Sequence, residues 1–279
     1  MRLAKDGIFP IVKDKDGHLL PDLLASGFQF AGTVQGEGKL CGIPSLFVRL
    51  AGCNLQCHWQ TSDGLSSPCD SAYAAYQLKD TRQVSVEAIY TTLLQNAGPI
   101  RHIVLTGGEP LLQVKELKAL CQKLKSDNRF HLTLETNATL FDPELVRYID
   151  LFSLSPKLSS SYTGASPLSI QRLNPECIQQ YISSARQYQK DFQLKFVYAC
   201  DEDIDEIQQL LSVLQAWKND DILLMPLGGA PEIMRRNMRP RIPGTGHDGK
   251  GRADFRTRQE RNGQHLQRGL SSLSPAASM

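Results

Sequence analysis

The chain has 279 residues, 41% of them apolar, and a formal net charge of +2. That length suits one sizeable domain, or one domain with an appendage, and no stretch approaches the ~18 uninterrupted apolar residues of a membrane span. Seven cysteines at uneven spacing exclude a secreted disulfide framework, and Met1–Gly7 lacks an apolar run of signal-peptide length, so a cytoplasmic location is expected.

Residues 1–27 hold a turn signal at Asp14–Gly17 and a leucine-rich patch at Leu19–Leu24, and read as a loosely defined N-terminal extension. A core spans 28–238. In Gln35-Gly36-Glu37-Gly38 two glycines bracket a carboxylate, which suits either close approach to a ligand or a surface turn. Ser45–Leu50 reads as a buried strand. It feeds a loop with Cys53, Cys57 and Cys69 in the order C-x3-C-x11-C. Residues Gln60–Pro68 in that loop are polar and turn-forming, which predicts a loop excursion.

Ser85 then caps a helix that runs to about Gln95 and stops at Gly98-Pro99, with Val84 and Ile89 as a hydrophobic staple. His102–Thr106 is a short strand ending in Gly107-Gly108-Glu109-Pro110. Val114–Lys125 is an amphipathic helix with Leu117, Leu120, Cys121 and Leu124 on one face. His131–Glu135 and Leu151–Leu154 are strands, with a short helix between them at Pro143–Tyr148. Helices are predicted at Asn174–Tyr188 and Asp203–Trp217, and strands at Phe192–Tyr198 and Ile222–Met225. Strands alternating with helices give βα units and a parallel sheet. About six strands favour an incomplete (β/α) barrel over a closed eightfold one, an α/β fold with candidate residues at strand ends.

The composition breaks near Asn237. Residues 239–279 carry seven Arg and one Lys against two Asp and one Glu, a net +5, which leaves −3 for the rest. This Gly-, Arg- and Ser-rich tail has one aromatic residue, Phe255, and no helical or strand period, so disorder is expected. A mildly acidic body gives no reason to expect a nucleic-acid partner.

Three thiolates can hold three irons of a [4Fe–4S] cluster and leave the fourth iron open. A zinc site with His58 as fourth ligand is the alternative, although His58 directly follows Cys57 and a chelate using both is strained. The lone cysteines Cys41, Cys121, Cys177 and Cys200 read as packing residues.

The cysteine loop resembles that of the radical S-adenosylmethionine (SAM) enzymes, whose usual spacing is C-x3-C-x2-C, with nine extra residues here before Cys69. Within that superfamily, Gln35–Gly38, Gly42-Ile43-Pro44, Phe47–Leu55 and Cys69-Asp70-Ser71 resemble the 7-carboxy-7-deazaguanine synthase family. The resemblance implies a partial (β/α)6-type radical SAM barrel with the cluster on Cys53, Cys57 and Cys69. It implies SAM against Asp70, Gly108, Glu109, Glu135, Asn137, Ser155, Pro156 and Lys157. Glu109 is expected at the methionine amino group and Lys157 at the SAM carboxylate. Mg2+ is expected on Ser71, which stands where the family has threonine and keeps the oxygen donor. Substrate contacts carried over are Val34, Gln35, Gly36, Glu37, Arg49 and Thr106. Arg49 is assigned the pterin carboxylate, its plainer alternative being a structural salt bridge.

The implied reaction starts when the reduced cluster splits SAM to a 5′-deoxyadenosyl radical. The radical takes hydrogen from C6 of 6-carboxy-5,6,7,8-tetrahydropterin, the ring contracts and ammonia leaves. The implied partners are the pterin, a flavodoxin- or ferredoxin-type electron donor and a second copy of the chain in a homodimer. The resemblance ends near Met238, and nothing in Arg239–Met279 matches the family's last helix and strand. An altered reading frame is one explanation, and weakened ring contraction is the expected consequence. Two rival readings share some features. One is a radical SAM activase acting on a protein, which needs neither Gln35–Gly38 nor Arg49. The other is a non-catalytic zinc or nucleic-acid-binding module.

Overall fold

The computed structural model of the protein describes residues 1–9, 33–60, 66–126, 128–162 and 172–228. The strands in chain order are β1 (Arg2–Phe9), β2 (Thr33–Val34), β3 (Pro44–Leu50), β4 (His58–Gln60), β5 (Ser66–Pro68), β6 (Arg82–Gln83), β7 (His102–Gly107), β8 (His131–Thr136), β9 (Leu151–Leu154), β10 (Asp191–Tyr198) and β11 (Ile222–Pro226). The helices are α1 (Ala72–Ala75), α2 (Val86–Ala97), α3 (Val114–Lys125), α4 (Pro175–Gln187) and α5 (Glu202–Val213).

One sheet organises the molecule, in the order β11-β10-β9-β8-β7-β3-β1-β6. The six strands from β3 to β11 pair in parallel. Strand β1 joins β3 antiparallel, and β6 joins β1 antiparallel. Among the described residues the path does not close on itself, which agrees with the open barrel expected from the sequence.

Side chains alternate across a strand, and here the two faces differ in chemistry. Leu46, Val48, Ile103, Leu105, Leu132, Leu134, Phe152, Leu194 and Phe196 belong to the main core, together with Ile89, Leu93, Leu117, Leu120 and Ile178 of the helices. Several buried residues on the other face are polar, among them Ser45, His102, Thr133, Ser153 and Gln193. Ser45 Oγ lies 2.6 Å from His102 Nδ1, and His102 Nε2 lies 2.7 Å from Thr133 Oγ1. Gln193 Nε2 donates to Ser153 Oγ at 2.8 Å. Buried polar groups that bond one another lose little by leaving water.

The predicted helix signals hold. Ser85 accepts from the Ala88 N–H at 3.1 Å, and Gly98 ends α2 at φ 50°. Leu117, Leu120, Cys121 and Leu124 are the buried face of α3. Asn174 caps α4 by accepting from the Cys177 N–H at 3.1 Å.

Four local expectations change. Residues 2–9 are not part of an extension but a strand of the main sheet. Gly7 at φ 56° and a register shift between Leu3 and Ile8 break the alternation that would have revealed it. The Pro143–Tyr148 helix is a 3-10 turn at Leu145–Tyr148. Helix α5 ends at Val213 rather than Trp217, because the Trp217 indole N–H turns back onto the Leu211 and Leu214 carbonyls at 3.1 and 3.2 Å. The described residues of the excursion before Cys69 form an antiparallel hairpin, β4 with β5, pairing His58 with Pro68 and Gln60 with Ser66. The expectations for the tail, 239–279, and for the rest of the extension, 10–27, lie outside the described residues.

Candidate active site

The carboxyl ends of the parallel strands surround a cavity of about 510 Å³. Strands β3, β7, β8, β10 and β11 supply Arg49, Thr106, Glu135, Lys195 and Met225 to it. Residues beyond the strand ends complete the wall. Every residue that the sequence reading placed at the site lines this cavity except Val34, Glu109 and Pro156.

The hairpin decides where the third cysteine goes. The Cys69 N–H donates to the Cys57 carbonyl at 3.1 Å, one step below the His58–Pro68 pair. Cys57 and Cys69 are therefore neighbours across the hairpin base. Cys53, Cys57 and Cys69 pack in one small cluster with Leu55, Trp59 and Leu227, and all three are free thiols on the cavity wall. Cys57 and Trp59 share a side of the hairpin, so His58 between them alternates away.

Burial pushes the Cys53 thiol up to about 12, the nearby Glu109 and the other two cysteines adding to the rise against the Leu55 N–H. Burial and the neighbouring Asp70 push Cys69 up to about 11, against the pull of Lys157. Such sulfurs become thiolates when a strongly cationic centre compensates them. Among the described residues no three His, Cys, Asp or Glu side chains are grouped to hold a single metal ion. A single-ion zinc site therefore has no support here. A cubane asks instead for three sulfurs that converge on one roomy space, and Cys53, Cys57 and Cys69, clustered on the cavity wall, fit that demand.

The end of β7 is pressed against the cysteine loop. A Cβ on Gly107 would sit 2.1 Å from the Leu50 carbonyl oxygen, and one on Gly108 would sit 2.2 Å from the Gly52 carbonyl oxygen and 2.9 Å from Cys53 Cβ. The glycines are needed for this contact between two backbones, with the Glu109 N–H donating to Gly52 at 2.8 Å. The Glu109 carboxylate, expected at the methionine amino group, is engaged within the protein. It is fully buried and accepts from the Leu111 N–H at 3.1 Å, the Asn137 N–H at 2.8 Å and the Thr136 hydroxyl at 2.8 and 2.9 Å. It caps the turn Pro110–Gln113 and braces β8 against the loop, leaving Gly107 and Gly108 to face the cavity. Val34 is 42% exposed on β2 and Pro156 is buried, both off the cavity wall.

Asn137 joins the two halves of the site. Its amide lies 3.8 Å from Cys53 Sγ and donates to Asn54 Oδ1 at 2.9 Å. Lys157 Nζ donates to Ser155 Oγ at 2.7 Å. The Ser71 hydroxyl donates to Asp70 Oδ1 at 2.9 Å. Burial alone would raise the Asp70 carboxyl, but the Ser71 hydroxyl, Lys157 and Lys195 outweigh it and hold the group below its usual range.

Deeper in, Glu135 accepts from the Thr106 hydroxyl at 2.7 Å and from Gln35 Nε2 at 3.3 Å. Arg49 makes the structural salt bridge weighed for it and also faces the cavity. Its Nε donates to Asp6 at 2.8 Å, yet it lines the cavity, with its guanidinium 4.9 Å from the Phe9 ring centre. Tyr73 OH also donates to Asp6 at 2.8 Å. Lys195 was missed. Its Nζ pairs with Glu37 at 2.7 Å. Burial opposes its charge, but Glu135, Glu37 and Asp70 outweigh that and raise it. A signal existed, for Gln193, Lys195 and Val197 alternate with the buried Phe192, Leu194 and Phe196, which marks a lysine pointing into the barrel.

The Radical SAM superfamily model matches residues 48–156. A 7-carboxy-7-deazaguanine synthase of Rhodopirellula baltica is 35% identical over 201 residues, covering 70% of this chain and 70% of that protein. The chain belongs to the 7-carboxy-7-deazaguanine synthase family. Another member, from Halobacterium salinarum, is 35% identical over 207 residues, covering 70% of this chain and 74% of its own length. A crystal structure of QueE from Escherichia coli shares the fold, with a TM-score of 0.52 at 23% identity over 85% of this chain and 88% of that one. As a 7-carboxy-7-deazaguanine synthase homologue, the chain is a radical SAM lyase of deazapurine biosynthesis that uses a [4Fe–4S] cluster and SAM. Among the described residues no helix is long and apolar enough to cross a membrane.

Proposed function

We propose that this chain converts 6-carboxy-5,6,7,8-tetrahydropterin to 7-carboxy-7-deazaguanine with release of ammonia. The observation that carries the reading is the hairpin base, where Cys69 returns beside Cys57 on the wall of a cavity lined by Arg49, Thr106 and Glu135. When bound, the cluster and SAM supply a 5′-deoxyadenosyl radical. The protein's own residues bind, orient and exclude water.

Cys53, Cys57 and Cys69 hold the cluster. Asn137, Ser155, Lys157 and the backbone at Gly108 line the side where SAM docks, with Lys157 facing its carboxylate. Arg49, steadied at Nε by Asp6, offers its remaining N–H groups to the pterin carboxylate. A pterin presents parallel N–H donors, and the carboxyl oxygens of Glu37 and Glu135 are suitable acceptors, with Gln35, Gly36 and Thr106 beside them. Lys195 pairs with Glu37 at 2.7 Å and feels the charge of Glu135 beside it. Asp70 and Ser71 offer oxygen donors for Mg2+. A flavodoxin- or ferredoxin-type donor, a homodimer and a cytoplasmic setting complete the proposal.

The test is anaerobic reconstitution followed by assay for 5′-deoxyadenosine and 7-carboxy-7-deazaguanine, with and without the carboxypterin. Pterin-dependent product is expected. SAM cleavage indifferent to the pterin would point to a protein-activating role and overturn the proposal. The divergent C-terminus is tested by a chimera carrying a relative's last segment. The chimera is expected to turn over faster, and equal rates would remove the tail from the account.

A further inference from the structure

Arg172 precedes α4 and is remote in sequence from the cysteine loop, and no motif marks it. Its Nη2 donates to Cys57 Sγ at 3.2 Å, to the Ser161 carbonyl at 3.0 Å and to Ser161 Oγ at 2.6 Å. The Ser161 hydroxyl donates its own hydrogen to the Leu158 carbonyl at 2.6 Å, so only its lone pairs face Arg172. The Tyr162 ring lies 5.4 Å from the guanidinium carbon. Arg172 Nε and Nη1 are buried and have no hydrogen-bond partner among the described residues. Among the described residues no carboxylate pairs with this cation; it is held by a serine, a ring face and a cysteine sulfur. Orphaned buried donors are costly, so a chain that keeps them implies an acceptor that arrives later.

We propose that Arg172 is a positioning residue for the cluster, which fixes the Cys57 sulfur and raises the cluster's reduction potential. This rests on the reading that Cys53, Cys57 and Cys69 carry a [4Fe–4S] centre. The step concerned is a one-electron reduction in which no bond forms or breaks, the electron coming from an external reductant. It adds one negative charge to the cluster and its thiolates. A fixed cation in hydrogen-bond contact with a ligating sulfur stabilises that product more than the oxidised form, and such contacts and net charge are among the terms that set cluster potentials. Cys57 differs in this from Cys53 and Cys69, whose sulfurs contact the amide groups of Leu55 and Asn137 and the carboxyl of Asp70.

The test is a reductive titration of the reconstituted, substrate-free protein, followed by visible absorbance and by electron paramagnetic resonance of the reduced cluster. Arg172→Lys, Arg172→Gln and Arg172→Met are compared with the parent at matched iron and sulfide content, with folding checked by thermal unfolding. The neutral variants are expected to titrate at a more negative potential with an altered resonance signal, and Arg172→Lys between them and the parent. Any neutral variant that loads a cluster and titrates with the parent overturns the proposal. If neither neutral variant loads while Arg172→Lys does, the charge is required and the proposal stands. If none of the three loads although all fold, a packing role explains the residue and the proposal falls. A parent that takes up no cluster refutes the cysteine assignment instead, so the two failures are distinguishable.

Discussion

Replacing Gly108 with alanine tests the contact on which the site's geometry depends. The new Cβ meets the Gly52 carbonyl oxygen at 2.2 Å and Cys53 Cβ at 2.9 Å. Neither neighbour is the free end of a flexible side chain, so one of the two backbones has to move. Overpacking of this kind costs about 1–3 kcal/mol. The Glu109 N–H to Gly52 bond, 2.8 Å long, crosses the same contact, and weakening it adds about 1 kcal/mol. The sum, roughly 2–4 kcal/mol, corresponds to a fall in Tm of about 5–15 °C for a domain of this size. Because the displaced atoms include Cys53, iron and sulfide content after reconstitution should fall with stability. The control is Gly36→Ala, where a Cβ meets nothing within 4 Å; it should leave Tm and iron content at the parent's values. Thermal unfolding and iron analysis of the two variants decide the matter. A Gly108→Ala protein with the parent's Tm and a full complement of iron would show that the strand end and the loop do not press together as described.

Burial, with His131 beside it, pushes His102 down to about 4, while the unfolded chain's histidine titrates near 6.5. The unfolded state then takes up the proton first, so stability present above pH 6.5 is lost as pH falls towards 4. About 2 kcal/mol should go between pH 7 and 5, read as a shift of the urea midpoint that shrinks in His102→Gln. Glu109→Gln places a donor among the Leu111, Thr136 and Asn137 donors and should cost about 2–4 kcal/mol. An unchanged Tm with a raised KM for SAM would instead restore Glu109 as a ligand contact. Lys195→Met leaves Glu37 and Glu135 without their cation; the KM for the pterin should rise about tenfold or more while SAM cleavage without the pterin persists.

Much of the scaffold was legible because its strands and helices are strongly marked. Val114–Lys125 shows its buried face in the spacing of Leu117, Leu120, Cys121 and Leu124, and Ser85 is a capping residue that does cap. Strand β1 was illegible because a bulge and Gly7 destroy its period. Of the site, the cysteines and the strand-end polar residues could be read as positions but not as partners. The sequence has no means of saying that Glu109 is consumed by Thr136 and Asn137, or that Arg49 meets Asp6 from a strand placed outside the core. Lys195 carried a readable alternation; Arg172 carried none, since its meaning comes only from Cys57, far away along the chain.

The β4–β5 hairpin has a consequence for how relatives of this protein are found. Because the Cys69 amide and the Cys57 carbonyl meet at its base, residues can be added or removed at its distal end without moving either sulfur. A signature written as counted gaps between cysteines would pass over this chain. One written as an antiparallel pair that opens and closes on cysteine would retain it, and would tolerate appendages of any length there, including ones long enough to contact another protein.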